Sequence, residues 1–154
     1  NCLSVTSFTE FLQGILELRD KWSKESQYAM GWEVPEQRIW FDIPLLRAPA
    51  WQSVHVLPSE YCDYMQEAIQ FMEDNKATED YVDYRGFKDF EIAKAKRNLD
   101  IMKQDIDVDK LRRDRADFFK FFSEHDARRD TNFLATFPEM HQFWQQCEEA
   151  DALL

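Results

Sequence analysis

At 154 residues, 44% of them hydrophobic and 15% aromatic, the chain is long and apolar enough to bury a core and falls outside the disordered class. Thirty Asp and Glu against 19 Lys and Arg give a net charge of -11, a field that repels phosphate backbones, so nucleic acid is not an expected partner. No apolar run approaches the roughly 18 residues of a membrane span, no charged-then-apolar leader is recognisable, and Cys2, Cys62 and Cys147 stand too far apart for a metal motif. A cytoplasmic protein with reduced thiols and no membrane partner is the expectation.

The chain opens at Asn1 without an initiator Met and runs into Cys2-Leu3-Ser4-Val5, which reads as the tail of a strand begun upstream, in a piece of a longer protein. Ser7-Phe8-Thr9-Glu10 is a capping box, since the Ser hydroxyl and the Glu carboxylate can each satisfy an orphan N–H at a helix start. Phe8, Phe11, Leu12, Ile15 and Trp22 then recur at helical spacing. Ser23 to Gln37, with Gly31 and Pro35, breaks that period and reads as a loop. Arg38 to Ile43 is rich in β-branched and aromatic residues and is closed by Pro44, which predicts a buried strand. Ser53-Val54-His55-Val56-Leu57 alternates between Pro49 and Pro58 and predicts a second.

Beyond Pro58 the pattern is helical. Tyr61, Met65, Ala68, Ile69 and Met72 line a helix ending near Asn75, and Phe90, Ile92, Leu99 and Met102 line another that runs from beyond Gly86 to about Gln104. Asp107 is a good N-cap for a helix carrying Val108, Leu111, Phe118, Phe122 and His125. Thr136-Phe137-Pro138-Glu139 forms a further capping box before Met140, Phe143, Trp144 and Cys147. The expected fold is α+β and mainly helical, with about five helices and two short strands: an end of a barrel-like βα region over 1–57 and a helical region over 58–154, in one compact unit.

No complete catalytic or metal site is legible. Asp105, Asp107 and Asp109 alternate like calcium-loop ligands, but position six is Lys110 instead of Gly and position twelve is Ala116 instead of Glu, which favours helix-capping acids. His55, His125 and His141 are dispersed, and the three glycines form no phosphate loop. The richest polar segment holds His125, Asp126, Arg128, Arg129, Thr131 and Asn132 at a helix end, where guanidiniums and neighbouring donors suit a carboxylate or phosphate. A solvated helix end, with Arg128 and Arg129 complementing the dipole and pairing with Asp126 and Asp130, is the favoured reading of the same residues. Arg47 stands between the two expected strands, where it either enters a ligand cleft or makes a salt bridge across a loop.

Four stretches carry a resemblance: Ile39-Trp40-Phe41-Asp42-Ile43-Pro44-Leu45-Leu46-Arg47-Ala48-Pro49; Gln52-Ser53-Val54-His55-Val56-Leu57-Pro58; Asp117-Phe118-Phe119-Lys120-Phe121-Phe122-Ser123-Glu124-His125-Asp126; and Thr131-Asn132-Phe133-Leu134-Ala135-Thr136-Phe137-Pro138-Glu139-Met140. In this order they resemble the C-terminal part of twitch-type radical S-adenosylmethionine proteins, uncharacterised members often associated with phage or marine sources. The resemblance runs from about Val5 to Cys147 and departs at Asp130, where those proteins tend to carry Gly. It implies a parent enzyme using S-adenosylmethionine and a 4Fe–4S cluster held by a C-x-x-x-C-x-x-C loop. That triplet does not occur in these 154 residues, so the chain itself is expected to hold no cofactor.

Two functional expectations follow. In one, the chain is the non-cluster-binding C-terminal portion of a radical S-adenosylmethionine enzyme, inactive alone, with the rest of that enzyme as partner, closing a partial (β/α) barrel and contacting substrate through Arg47 or the 125–132 cluster. In the other, it is a helical protein-interaction module without catalysis. Exposed apolar surface would favour homo-oligomers in either case.

Overall fold

A computed structural model describes residues 2–21, 43–76 and 87–154, with side chains excepted over 16–21. The loop expected over Ser23 to Gln37, the strand positions 38–42 and Gly86 lie outside the described residues. Six α-helices form among the described residues: α1 (Val5–Lys21), α2 (Tyr61–Asp74), α3 (Asp89–Lys103), α4 (Val108–Arg129), the single turn α5 (Phe133–Thr136) and α6 (His141–Ala152). The chain is mainly helical, and the described residues contain no strand or sheet. Their only β pairing is two isolated parallel bridges, Leu3 with Leu45 and Lys76 with Phe87.

The second expected strand is therefore corrected. Residues 50–56 form two successive 3-10 turns, Ala50–Gln52 and Val54–Val56. Between two prolines, and with no strand alongside, the backbone bonds locally: Ser53 N–H donates to Ala50 O at 3.1 Å and Leu57 N–H to Val54 O at 3.2 Å. Both valines still reach the core, at 1% and 0% exposure, so alternation reported burial and not strand geometry. Ile43, the last residue of the first expected strand, is buried without being in a strand. The tail expected at residues 2–5 reduces to the Leu3 bridge, with Leu3 N–H donating to Pro44 O at 3.0 Å.

Helix starts shift for similar reasons. Ser4 and Ser7 cap α1 reciprocally, with Ser4 N–H donating to Ser7 Oγ at 2.9 Å and Ser7 N–H to Ser4 Oγ at 3.2 Å, so the box begins three residues before the expected one. Asp107 caps α4 as expected, accepting from Lys110 N–H at 2.9 Å. Thr136 does not open a helix. It ends α5, and its hydroxyl donates to Asn132 O while Pro138 starts a 3-10 turn before α6.

The core joins α4 packed along α6 to α2 packed on α1 and α3, with the 3-10 turns of 50–56 touching α1, α3 and α4. Phe8, Phe118 and Phe143 are its largest fully buried side chains. Phe118 meets Phe143 at 5.1 Å, Phe133 at 5.5 Å and Trp51 at 6.3 Å between ring centroids, in the tilted and edge-on arrangements that suit aromatic quadrupoles.

Candidate functional site

Arg47 follows a segment held in place from beneath. Buried Asn98 of α3 donates its amide to Ile43 O at 2.8 Å, which fixes the chain as it approaches Leu45 and Arg47. A cleft of about 500 Å³ opens there, bounded by the 45–55 segment on one side and by the end of α3 and the start of α4 on the other. Leu45, Leu46, Ile101 and Ile106 supply apolar walls, while Arg47, His55, Asp105, Asp107 and Lys110 bring charge.

These charges divide into two sets. His55 Nε2 lies 2.7 Å from Asp114 Oδ2, and Lys110 Nζ lies 2.5 Å from the same oxygen, so one carboxylate holds both groups. Burial works to raise the pKa of Asp114, but the hydrogen bonds and charges of Lys110 and His55 outweigh it and hold the carboxyl below its ordinary value. Arg115 Nε–H donates to Val56 O at 2.9 Å and pins the His55 turn onto α4. By contrast, Arg47 and Asp105 make no ion pair among the described residues, and both line the cleft. Among the described residues the site thus offers a cation, Arg47, and a carboxylate, Asp105, outside any ion pair, beside the α4-capping carboxylate of Asp107 and over an apolar wall, an arrangement suited to a ligand with an acid group and a donor group.

The second sequence candidate is built differently. Asp126 uses both carboxylate oxygens locally, accepting from Thr131 Oγ1–H at 2.7 Å and from Phe133 N–H at 2.8 Å. Asn132 accepts from Ala135 N–H at 2.8 Å and caps α5, and Thr131 Oγ1 lies 3.3 Å from His125 Nδ1. Asp130 adopts the left-handed conformation at φ 52° and ψ 44°, and its N–H donates to Asp126 O. The tight turn is therefore made with Asp where Gly would be least strained. Arg128 pairs with Glu124 at 3.3 Å, both well exposed, and Arg129 is exposed without an ion pair among the described residues. The structure gathers Asp126, Thr131 and Asn132 into a helix-ending turn and leaves the two arginines outside it.

His55, Lys110 and Asp114 were missed as a group because His55 and Asp114 are 59 residues apart. One signal was present: Asp114 interrupts the apolar stripe between Leu111 and Phe118, and a carboxylate on a buried face requires a partner. The cysteines are free thiols, and burial pushes Cys147 up to about 12 despite the nearby Arg115. No group of three or more His, Cys, Asp or Glu among the described residues is placed to hold a metal ion, and no described helix is long and apolar enough to cross a membrane. Compared with protein-family models, curated proteins and solved structures, the chain finds no match.

Proposed function

We propose that this chain is the helical, cluster-free portion of a radical S-adenosylmethionine enzyme and that it contributes the cleft beside Arg47 to substrate binding. The observation that carries the cleft reading is that Arg47 and Asp105, neither in an ion pair among the described residues, line one apolar-walled cavity. An acid group of the substrate lies against Arg47, a hydrogen-bond donor against Asp105, and its apolar body against Leu46 and Ile106. The family reading is supported by the ordered stretches 39–49, 52–58, 117–126 and 131–140 of the sequence. The parent supplies S-adenosylmethionine cleavage through its own cluster, and the residues of this chain orient substrate. Closure of a barrel by residues 53–57 forms no part of the proposal, because that segment is a 3-10 turn.

The interaction-module alternative has narrower support, since exposed Tyr64, Phe90 and Phe121 stand on three different helices and, among the described residues, only Val108 and Leu153 of the exposed apolar side chains line one groove together, between the start of α4 and the end of α6. The deciding test uses the complete natural reading frame. The sequence upstream of Asn1 should encode a C-x-x-x-C-x-x-C loop, and Arg47→Gln in the complete enzyme should raise KM about tenfold with kcat unchanged. Replacing Arg128 and Arg129 with Gln should leave KM as it was. An upstream frame without the triplet overturns the family reading, and an unchanged KM in Arg47→Gln overturns the cleft reading.

A further inference from the structure

A second cavity, of about 310 Å³, lies on a different part of the molecule, where α1, the start of α2 and the entry to α6 meet. Its floor is aromatic, since Phe8 and Phe143 are 0% and 1% exposed and both line it. Tyr61 and Tyr64 form a corner above that floor. The Tyr61 ring stands edge-on to Phe8, with centroids 5.5 Å apart and planes at 63°, and to Tyr64 at 5.7 Å and 88°. Two nearly perpendicular tyrosine walls thus rise from one aromatic base.

Glu60 and Glu139 line the same cavity from distant points of the sequence, and among the described residues no Lys, Arg or His lines it. Their proximity registers on Tyr61, whose hydroxyl is pushed above its ordinary pKa by burial first and then by the Glu139 and Glu60 charges. Asp63 in the first turn of α2, outside the lining, offsets the positive end of that helix. The wider field of a chain with net charge -11 also favours cations.

We propose that this cavity binds a small organic cation of the quaternary-ammonium class. Aromatic rings attract a cation through their negative quadrupoles, and methyl groups around the nitrogen can pack against the partly exposed Tyr61, Tyr64 and Leu12 side chains where a strongly hydrated primary ammonium would keep its water. Glu60 and Glu139 complete the site by balancing the charge at its rim. Nothing in this inference depends on the parent enzyme or on the Arg47 cleft.

The test is a proton NMR titration of the full chain with choline and with its neutral carbon isostere, in which a tert-butyl group replaces trimethylammonium. Choline should bind saturably, its N-methyl signal moving upfield under the ring currents, with affinity about tenfold above that of the isostere. Tyr64→Ala and Glu139→Gln change exposed side chains, so both variants should keep their circular dichroism spectrum and lose most of the choline affinity. Equal affinity for the two probes would show an apolar groove without cation recognition and overturn the proposal. Absence of saturable choline binding, or unchanged affinity in both folded variants, would overturn it as well.

Discussion

At the residue scale, two acidic side chains carry opposite lessons. Asp130 holds a left-handed backbone at φ 52°, a conformation that disfavours side chains other than Gly. Asp130→Gly should therefore stabilise the chain by about 0.5–1 kcal/mol, read as a higher urea midpoint. A lower midpoint would show that the Asp side chain contributes more than the backbone strain removes. Asp114 contributes in the other direction. Its folded pKa lies below the ordinary 3.8, so the stability it confers is complete above that value and is lost as pH falls through the lower folded one. Asp114→Asn should lower stability at neutral pH by about 1.5–3 kcal/mol and flatten the acid limb of the stability profile below about pH 4. Urea titrations across that range check it, and parallel acid limbs in the two proteins would contradict the assigned role. Neither feature was legible in full. The departure at Asp130 was visible but not its backbone, and Asp114 gave only the sign of a carboxylate in an apolar stripe.

At the scale of elements, helix α4 shows how far periodicity reaches. Its spacing of three and four places Phe118 and Phe122 on one face with Val108 and Leu111, yet only Phe118 is fully buried, Phe122 is half-buried, and Val108 is 67% exposed. Truncation of Phe118 to Ala should cost about 3–5 kcal/mol. The same change at Phe122 should cost about 1–2 kcal/mol, in proportion to the smaller area it removes from water. Equal losses in denaturant titration would mean that the burial of the two rings is not what separates them. Helix existence was legible because two or three turns of apolar period outweigh local noise, as in α2, where Met65, Ala68, Ile69 and Met72 are all buried. The five-residue alternation at 53–57 was not decisive, because so short a run serves a 3-10 turn equally well once prolines bound it and no strand lies beside it. Phe90 was misplaced for a related reason: it sits at 41% exposure while Glu91 and Asn98 are buried on the same helix. Polar residues that find backbone partners can occupy a core face that an apolar count assigns elsewhere, as the Lys88 N–H bond to Glu91 at 2.7 Å illustrates.

At the scale of the whole molecule, the two sequence candidates separate by what their donors already do. Asp126, Thr131 and Asn132 satisfy backbone and hydroxyl groups at a helix end, whereas Arg47 lines a cleft without an ion pair among the described residues. Sequence spacing could not make that distinction, because the cleft joins residues 45–55 to residues 101–110 through tertiary packing alone. The most direct measurement is anaerobic reconstitution with iron and sulfide, followed by iron analysis, on two polypeptides: these 154 residues and the product of the complete natural reading frame. The complete product should hold about four iron atoms and their visible absorption, and the 154-residue chain should hold none. Stoichiometric iron in the shorter chain, or none in the complete product, would contradict a cluster-free portion of a cluster-bearing enzyme.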